Sequence, residues 1–300
     1  ARPPPRPALA ETTPAPPQRI RPGINRETPL ERTHPGKLKF SCSSPDPTKD
    51  AVGTTHWEAY HDDEDGVVTL HSPTGEYQAR VQHARLAMMW DWWTTHNHCA
   101  HHEAFYRDTA LSARFHFGSA DIRDHWVCPP PLDAAICHSL RGRLEWPATE
   151  MFSHPFNASP AFPKHRSYRE ADKAFGFKHN AYSTMFTGPY YANPEYQAEE
   201  LLRTLRWAAS SATFSGQPCM GVLLIPEWTT MGYASLLDPG RPTRGIHVLA
   251  RLKEGFRFVP YTAWMGGTDN TKGTKWNVLL VLVYNRAGYE AFGDGLKTAD

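Results

Sequence analysis

The sequence predicts an α/β fold from about residue 145 onward, a mostly parallel sheet covered by helices. Three observations predict it. Met220-Gly-Val-Leu-Leu-Ile225 and Val278-Leu-Leu-Val-Leu-Val-Tyr284 are short, continuous apolar runs, the pattern of strands buried on both faces. Gln197 to Ala209 reads as a helix with Leu201, Leu202 and Leu205 on one side. Strand and helix patterns alternate along this half of the chain, as βα units do.

The elements can be justified in order. Residues 1–50 hold 12 of the 27 prolines and nine Lys/Arg against five Asp/Glu. Runs such as Arg2-Pro-Pro-Pro-Arg-Pro7 exclude helix and sheet interior. We therefore expect residues 1–55 to form a basic, extended tail that seeks an acidic partner. Val67-Val-Thr-Leu70, the turn signal Ser72-Pro-Thr-Gly75 and Glu76 to Arg80 predict a hairpin. Gln82 to Phe105 turns helical and Trp-rich, with Leu86, Met89, Trp90 and Trp93. Pro129 to Pro131 open a helix whose Leu132, Ile136 and Leu140 share a face. Hairpin and helices together make a companion domain over 56–142.

The α/β domain spans 143–292, and 293–300 is a short C-terminal tail. Within it, Thr149-Glu-Met-Phe152 and Ser183-Thr-Met-Phe186 read as strands, and Gly245 to Leu252 as helix or loop. Ligands of such sheets bind at the carboxyl ends of strands, where 187–196 and 226–232 fall.

Composition narrows the function. The five cysteines, at 42, 99, 128, 137 and 219, form no disulfide framework, so a reducing, intracellular setting is expected. No apolar run reaches the roughly 20 residues of a membrane span. The first residue is Ala rather than Met, as in a processed organellar precursor or equally in part of a longer chain; the mitochondrion is the expected setting, with nucleus and cytoplasm open. No P-loop, Ser/His/Asp spacing or paired-carboxylate pattern stands out.

Asn193-Pro194-Glu195-Tyr196 carries the chemistry. An exocyclic base amine has a delocalised lone pair. A site that methylates it must hold both amine hydrogens with acceptors, which an Asn oxygen and a proline carbonyl can supply. An aromatic ring beside them can stack on the base. The segment is similar to the Asn-Pro-Pro-Tyr/Phe loop that does this, with Glu195 in place of the second proline. Glu195 restores an N–H, frees φ and brings a charge to the reaction centre; buried alone it would cost several kcal/mol.

The surrounding motifs extend the likeness. Phe186 to Leu202 resembles the catalytic segment of the phosphorylated-CTD-interacting factor family, the cap-specific adenosine N6-methyltransferases. In the same order, Pro129-Pro-Pro-Leu-Asp133, Met151-Phe-Ser-His-Pro-Phe-Asn157, Asp172-Lys-Ala-Phe-Gly176, Leu223-Leu-Ile-Pro-Glu-Trp228 and Trp276-Asn-Val-Leu-Leu280 resemble that family's motifs. The resemblance covers roughly residues 85–290. It implies a Rossmann-like S-adenosylmethionine-dependent methyltransferase fold with a helical companion domain. Asn193, Pro194 and Tyr196 would hold the target base, with Glu195 among them. Phe156 and Asn157 would border S-adenosylmethionine together with Asn193, and Pro226, Glu227 and Trp228 would form a substrate wall.

Two expectations follow. One is a catalytically degenerate methyltransferase-like subunit, contacting RNA or protein in a large assembly such as a mitochondrial ribosome, with cofactor binding open to loss. The other is an active RNA adenine-N6 methyltransferase. His98 and His102, four apart in a His-rich stretch, would share a helix face as a metal pair does, but no further ligands are evident and no metal is expected. Arg203 and Arg206, with Lys164, His165, Arg166, Arg169, Lys173 and Lys178, are interleaved with Tyr168, Phe175 and Phe177, a pattern that suits either an RNA face or an ordinary solvated one.

Overall fold

The computed structural model describes residues 58–62, 66–71, 78–117, 126–141, 146–241, 243–260 and 273–293. All lie within the compact unit Gly36–Asp300. The tail expected over 1–55, the hairpin turn and the end of the chain beyond 293 lie outside the described residues. Among the described residues no helix is long and apolar enough to cross a membrane.

Strands β1 (Glu58–Asp62), β2 (Val67–His71) and β3 (Gln78–Gln82) form a small antiparallel sheet in that order. The expected hairpin is its β2–β3 pair. Helix α1 (His83–Asn97) follows directly and ends at His98, which takes a left-handed φ of 53° and donates its N–H to the Thr94 carbonyl. Helix α2 (His102–Phe117) starts afresh. The single Trp-rich helix read from sequence is thus two. Val68, Leu70, Leu86, Met89, Trp93, Phe105 and Tyr106 make a shared core. Phe156, Phe175 and Phe177 of the α/β part enter the same cluster. A buried polar knot fixes that junction: Asp172 accepts from Ser112 at 2.5 Å and from Ser167, and sits 2.8 Å from His116 Nε2.

Beyond this lie β4 (Trp126–Val127) and α3 (Pro130–Ser139), which begins on Pro130 as the triple proline predicts. The main sheet uses β5 (Thr149–Met151), β6 (Lys164–Ser167), β7 (Lys178–His179), β8 (Gly188–Ala192), β9 (Cys219–Pro226), β10 (Ile246–Leu252) and β12 (Val278–Tyr284). Helix α4 (Ala198–Phe214) joins β8 to β9, the two-residue β11 (Val259–Pro260) pairs with β4, and α5 (Arg286–Phe292) follows β12.

Spatial order in the main sheet is β10-β12-β9-β8-β5-β6-β7. The pairings from β9 to β7 are parallel, whereas β12 runs antiparallel to both neighbours. Numbered by appearance within the sheet, the strands run 3-2-1-4-5-7-6. The chain therefore moves outward from β5 in one direction and from β8 in the other, so a topological switch point lies between those two strands.

Period-two alternation explains the layers. On β9, Leu223 and Ile225 join the cluster containing Leu201 and Leu205 of α4. Met220, Val222 and Leu224 face the opposite cluster, with Ile136 of α3 and Phe292 of α5. Helices cover both faces of a mixed sheet, an α/β architecture. Gly221 is paired with Tyr190, and a Cβ there would lie 2.1 Å from the tyrosine ring. That glycine is required for a full-sized aromatic in the central strand.

Two strand readings need correction. Ser183–Phe186 is not a strand: Ala181–Ser183 forms a 3-10 turn led by Asn180 at φ 58°, and the strand is Gly188–Ala192. Gly245–Leu252 is neither helix nor loop but mostly the edge strand β10.

Candidate functional site

The carboxyl ends of β5, β8 and β9 carry the segments after Met151, Ala192 and Pro226; of the loop expected over 187–196, Gly188–Ala192 is the strand β8 itself and only the part from Asn193 onward lies at this end. Met151 pairs with Ala192, and Ala192 with Leu223, so the chain leaves these strands side by side. Phe152 and Asn193 are the next residues, at the switch point.

The loop after β5 is held from beneath. Phe152 adopts φ 64° and stacks on Tyr168 at 5.0 Å. Asn157 Oδ1 accepts the His154 N–H at 2.7 Å, and the Ala158 N–H returns to the His154 carbonyl at 2.9 Å, a closed turn. Phe156 is fully buried in the companion core. Glu150, in mid-strand, accepts the Ser159 N–H at 2.9 Å and lies 3.1 Å from His165 Nδ1. Arg85, almost wholly buried, donates to the Ala158 carbonyl at 2.8 Å. Burial lowers its pKa to about 10, with Glu150 opposing. Burial first and Glu150 second push the Asp133 carboxyl up to about 7, against hydrogen bonds from Cys128, Ser159 and Tyr191. A buried guanidinium and two buried carboxyl groups therefore underlie this loop.

After β8, Asn193 is half-buried with its Oδ1 inside, and Pro194 is buried. Glu195 is exposed and accepts the Gln197 side-chain amide at 2.9 Å. Its charge is hydrated, so the burial cost expected for a lone carboxylate does not arise. Tyr196 turns inward. Its ring meets Trp228 edge-on at 6.3 Å and Phe258 at 5.9 Å. Burial pushes its phenol well above the usual tyrosine range. The following helix α4 begins with Glu200 accepting hydroxyls from Tyr168 at 2.5 Å and from Tyr182. Arg203 lies 3.9 Å over the Tyr182 ring.

After β9, the Pro226 carbonyl accepts the Tyr233 hydroxyl at 2.8 Å. Glu227 accepts from Asn277 Nδ2 at 2.7 Å and pairs with Arg251. Trp228 packs edge-on against Trp276 at 5.4 Å. The structure thus brings the Asn193–Tyr196 and Pro226–Trp228 segments together through Tyr196 and Trp228. Phe156 and Asn157 belong to the neighbouring loop but point their functional groups into the scaffold. Sequence reasoning missed Arg85, Glu150 and Phe258, whose signal was charge inside apolar patterns or distance along the chain, and it gave Asp133 and Trp276 no role although both stand in the motifs above.

The His pair is separated by the break between α1 and α2, and His102 stacks on Trp90 at 4.5 Å instead. Among the described residues no group of three or more His, Cys, Asp or Glu is placed to hold a metal ion. No protein-family model matches the chain, and no curated protein matches it either.

Proposed function

We propose that this chain is a methyltransferase-like protein of the Rossmann-like S-adenosylmethionine-dependent class, retired from catalysis and serving as an RNA-contacting subunit of a large assembly. The strand order 3-2-1-4-5-7-6 reverses direction between its first and fourth strands as doubly wound sheets do, which supports a Rossmann-like fold. The motif loops collect at the switch point, where doubly wound sheets bind their ligands.

One observation carries the degenerate reading: the groups that should handle cofactor and base are committed to the scaffold. Phe156 is fully buried, the Asn157 oxygen closes its own loop, and Tyr196 is wedged between Trp228 and Phe258. These residues fit S-adenosylmethionine poorly. The second proline that would preset the acceptor carbonyl is Glu195. A basic, proline-rich segment of 50 residues suits anchoring in a ribonucleoprotein, and an organellar particle such as the mitochondrial ribosome is the setting we favour.

A second reading, an active RNA adenine-N6 methyltransferase, is favoured by one feature. Glu195 is exposed and accepts the Gln197 side-chain amide, leaving the Asn193 segment unobstructed by its charge. Gradient sedimentation of the tagged chain from its native cells separates the outcomes. The subunit reading predicts migration with a large particle and a shift to the top after ribonuclease. A monomer that sediments alone, with a protease-sensitive tail, would overturn it.

A further inference from the structure

We propose that the amino edge of the main sheet is a docking groove for single-stranded RNA. This deepens the RNA-contacting reading above and rests on it for the class of partner. A groove of about 700 Å³ opens where four parallel strands begin. Thr149, Lys164, Lys178 and Gly188, the first residues of β5, β6, β7 and β8, all line it. That is the opposite edge from Asn193 and Trp228, which follow the last residues of β8 and β9. The end of α1 supplies the facing wall.

The charge of the groove has one sign. Lys164, Arg166 and Lys178 line it together with His96 and His98, and no Asp or Glu is among the described lining residues. Lys164 and Lys178 are exposed, so their ammonium groups are available to phosphates. A concave surface of one sign attracts a polyanion.

Aromatic faces decide which polyanion. Trp146 is 41% exposed at the groove wall. It is seated by Gly188, where a Cβ would come 3.1 Å from the indole, and it meets Phe292 at 5.9 Å. Trp92 lines the facing side, held edge-on by Phe177 at 5.5 Å. Held indoles among cations suit stacked bases and a phosphate backbone. An acidic peptide would use the charges and leave the rings idle. The chain's own first 50 residues are a poor occupant, with nine Lys/Arg against five Asp/Glu.

The test is fluorescence anisotropy of the full chain with a labelled oligouridylate across a salt series, with circular dichroism on each variant. We expect Lys164→Glu with Lys178→Glu to weaken binding on the order of tenfold or more. The log–log salt slope should shrink by about 1.4, at roughly 0.7 per lost single-strand contact. Trp146→Ala should weaken binding about tenfold and leave that slope unchanged. Should Trp146→Ala fail to fold, the exposed lysine pair still decides. Binding with affinity and slope untouched by the lysine pair overturns the groove but leaves the RNA-contacting reading standing. Absence of any RNA binding by the native chain overturns both. Displacement by polyglutamate at lower concentration than by unlabelled RNA overturns the assignment of RNA as occupant.

Discussion

The two edges of the main sheet differ in where their side chains point. At the carboxyl edge, Phe156, Asn157 and Tyr196 are turned into packing and local hydrogen bonds. At the amino edge, Lys164, Lys178 and half of Trp146 face a groove. One sheet holds both, so the scaffold does not dictate which edge works.

The largest effect should come from breaking the scaffold common to both edges. Gly221→Ala drives a methyl into the Tyr190 ring. It should cost at least about 4 kcal/mol in urea unfolding and abolish RNA binding together with native fluorescence. A mild loss would mean that β8 and β9 can separate.

Arg85→Met sharpens the comparison by loosening the carboxyl edge. It removes the donor to the Ala158 carbonyl and the guanidinium charge that acts on Glu150, leaving His165 as the carboxylate's nearest partner. We expect about 3 kcal/mol of lost stability, with hydrogen exchange rising in residues 152–159 more than in β12.

The buried carboxyl of Asp133 gives a pH signature. Its folded-state pKa is raised from the ordinary carboxylate range to about 7 by burial and by Glu150. Its contribution to stability is therefore fully present below the unfolded value and is lost as pH rises toward 7 and beyond. Urea midpoints should correspond to roughly 2 kcal/mol less stability at about pH 8 than at about pH 5, and Asp133→Asn should flatten this difference. A flat native profile would show that the carboxyl is not desolvated.

Tyr196→Phe should have the smallest effect. The hydroxyl is buried with no hydrogen-bond partner among the described residues, and the ring alone makes the contacts to Trp228 and Phe258. Thermal unfolding should show no loss, or a gain of up to about 1 kcal/mol. A clear loss would assign the hydroxyl a bond that the packing account omits.

Much of the framework was legible because period and composition are local. β9, β12, α3 and α4 announced themselves through apolar runs and prolines. β8 was misplaced because Gly188 and Pro189 argue against a strand, yet Gly188 takes a φ of 70° at the entry and Pro189 lies in its first turn of pleat. β10 carries no burial pattern because it is an edge strand, with Val248 and Leu249 exposed. At the candidate site, the sequence marked the Asn193 and Pro226 segments but took strand Gly188–Ala192 for loop, and it did not give the direction of the side chains. Whether Tyr196 faces a base or Phe258 depends on residues some sixty positions apart in the chain.

On the proposed reading, the Asn193 segment holds the place of a methyl-transfer loop without its chemistry. The direct test is transfer of labelled methyl from S-adenosylmethionine to adenosine-containing RNA by the native chain, beside Glu195→Pro and Asn193→Ala. We predict no label at adenine N6 with the native chain, even at protein concentrations that saturate RNA binding. Labelling by the native chain that Asn193→Ala abolishes would contradict the account and establish the enzyme.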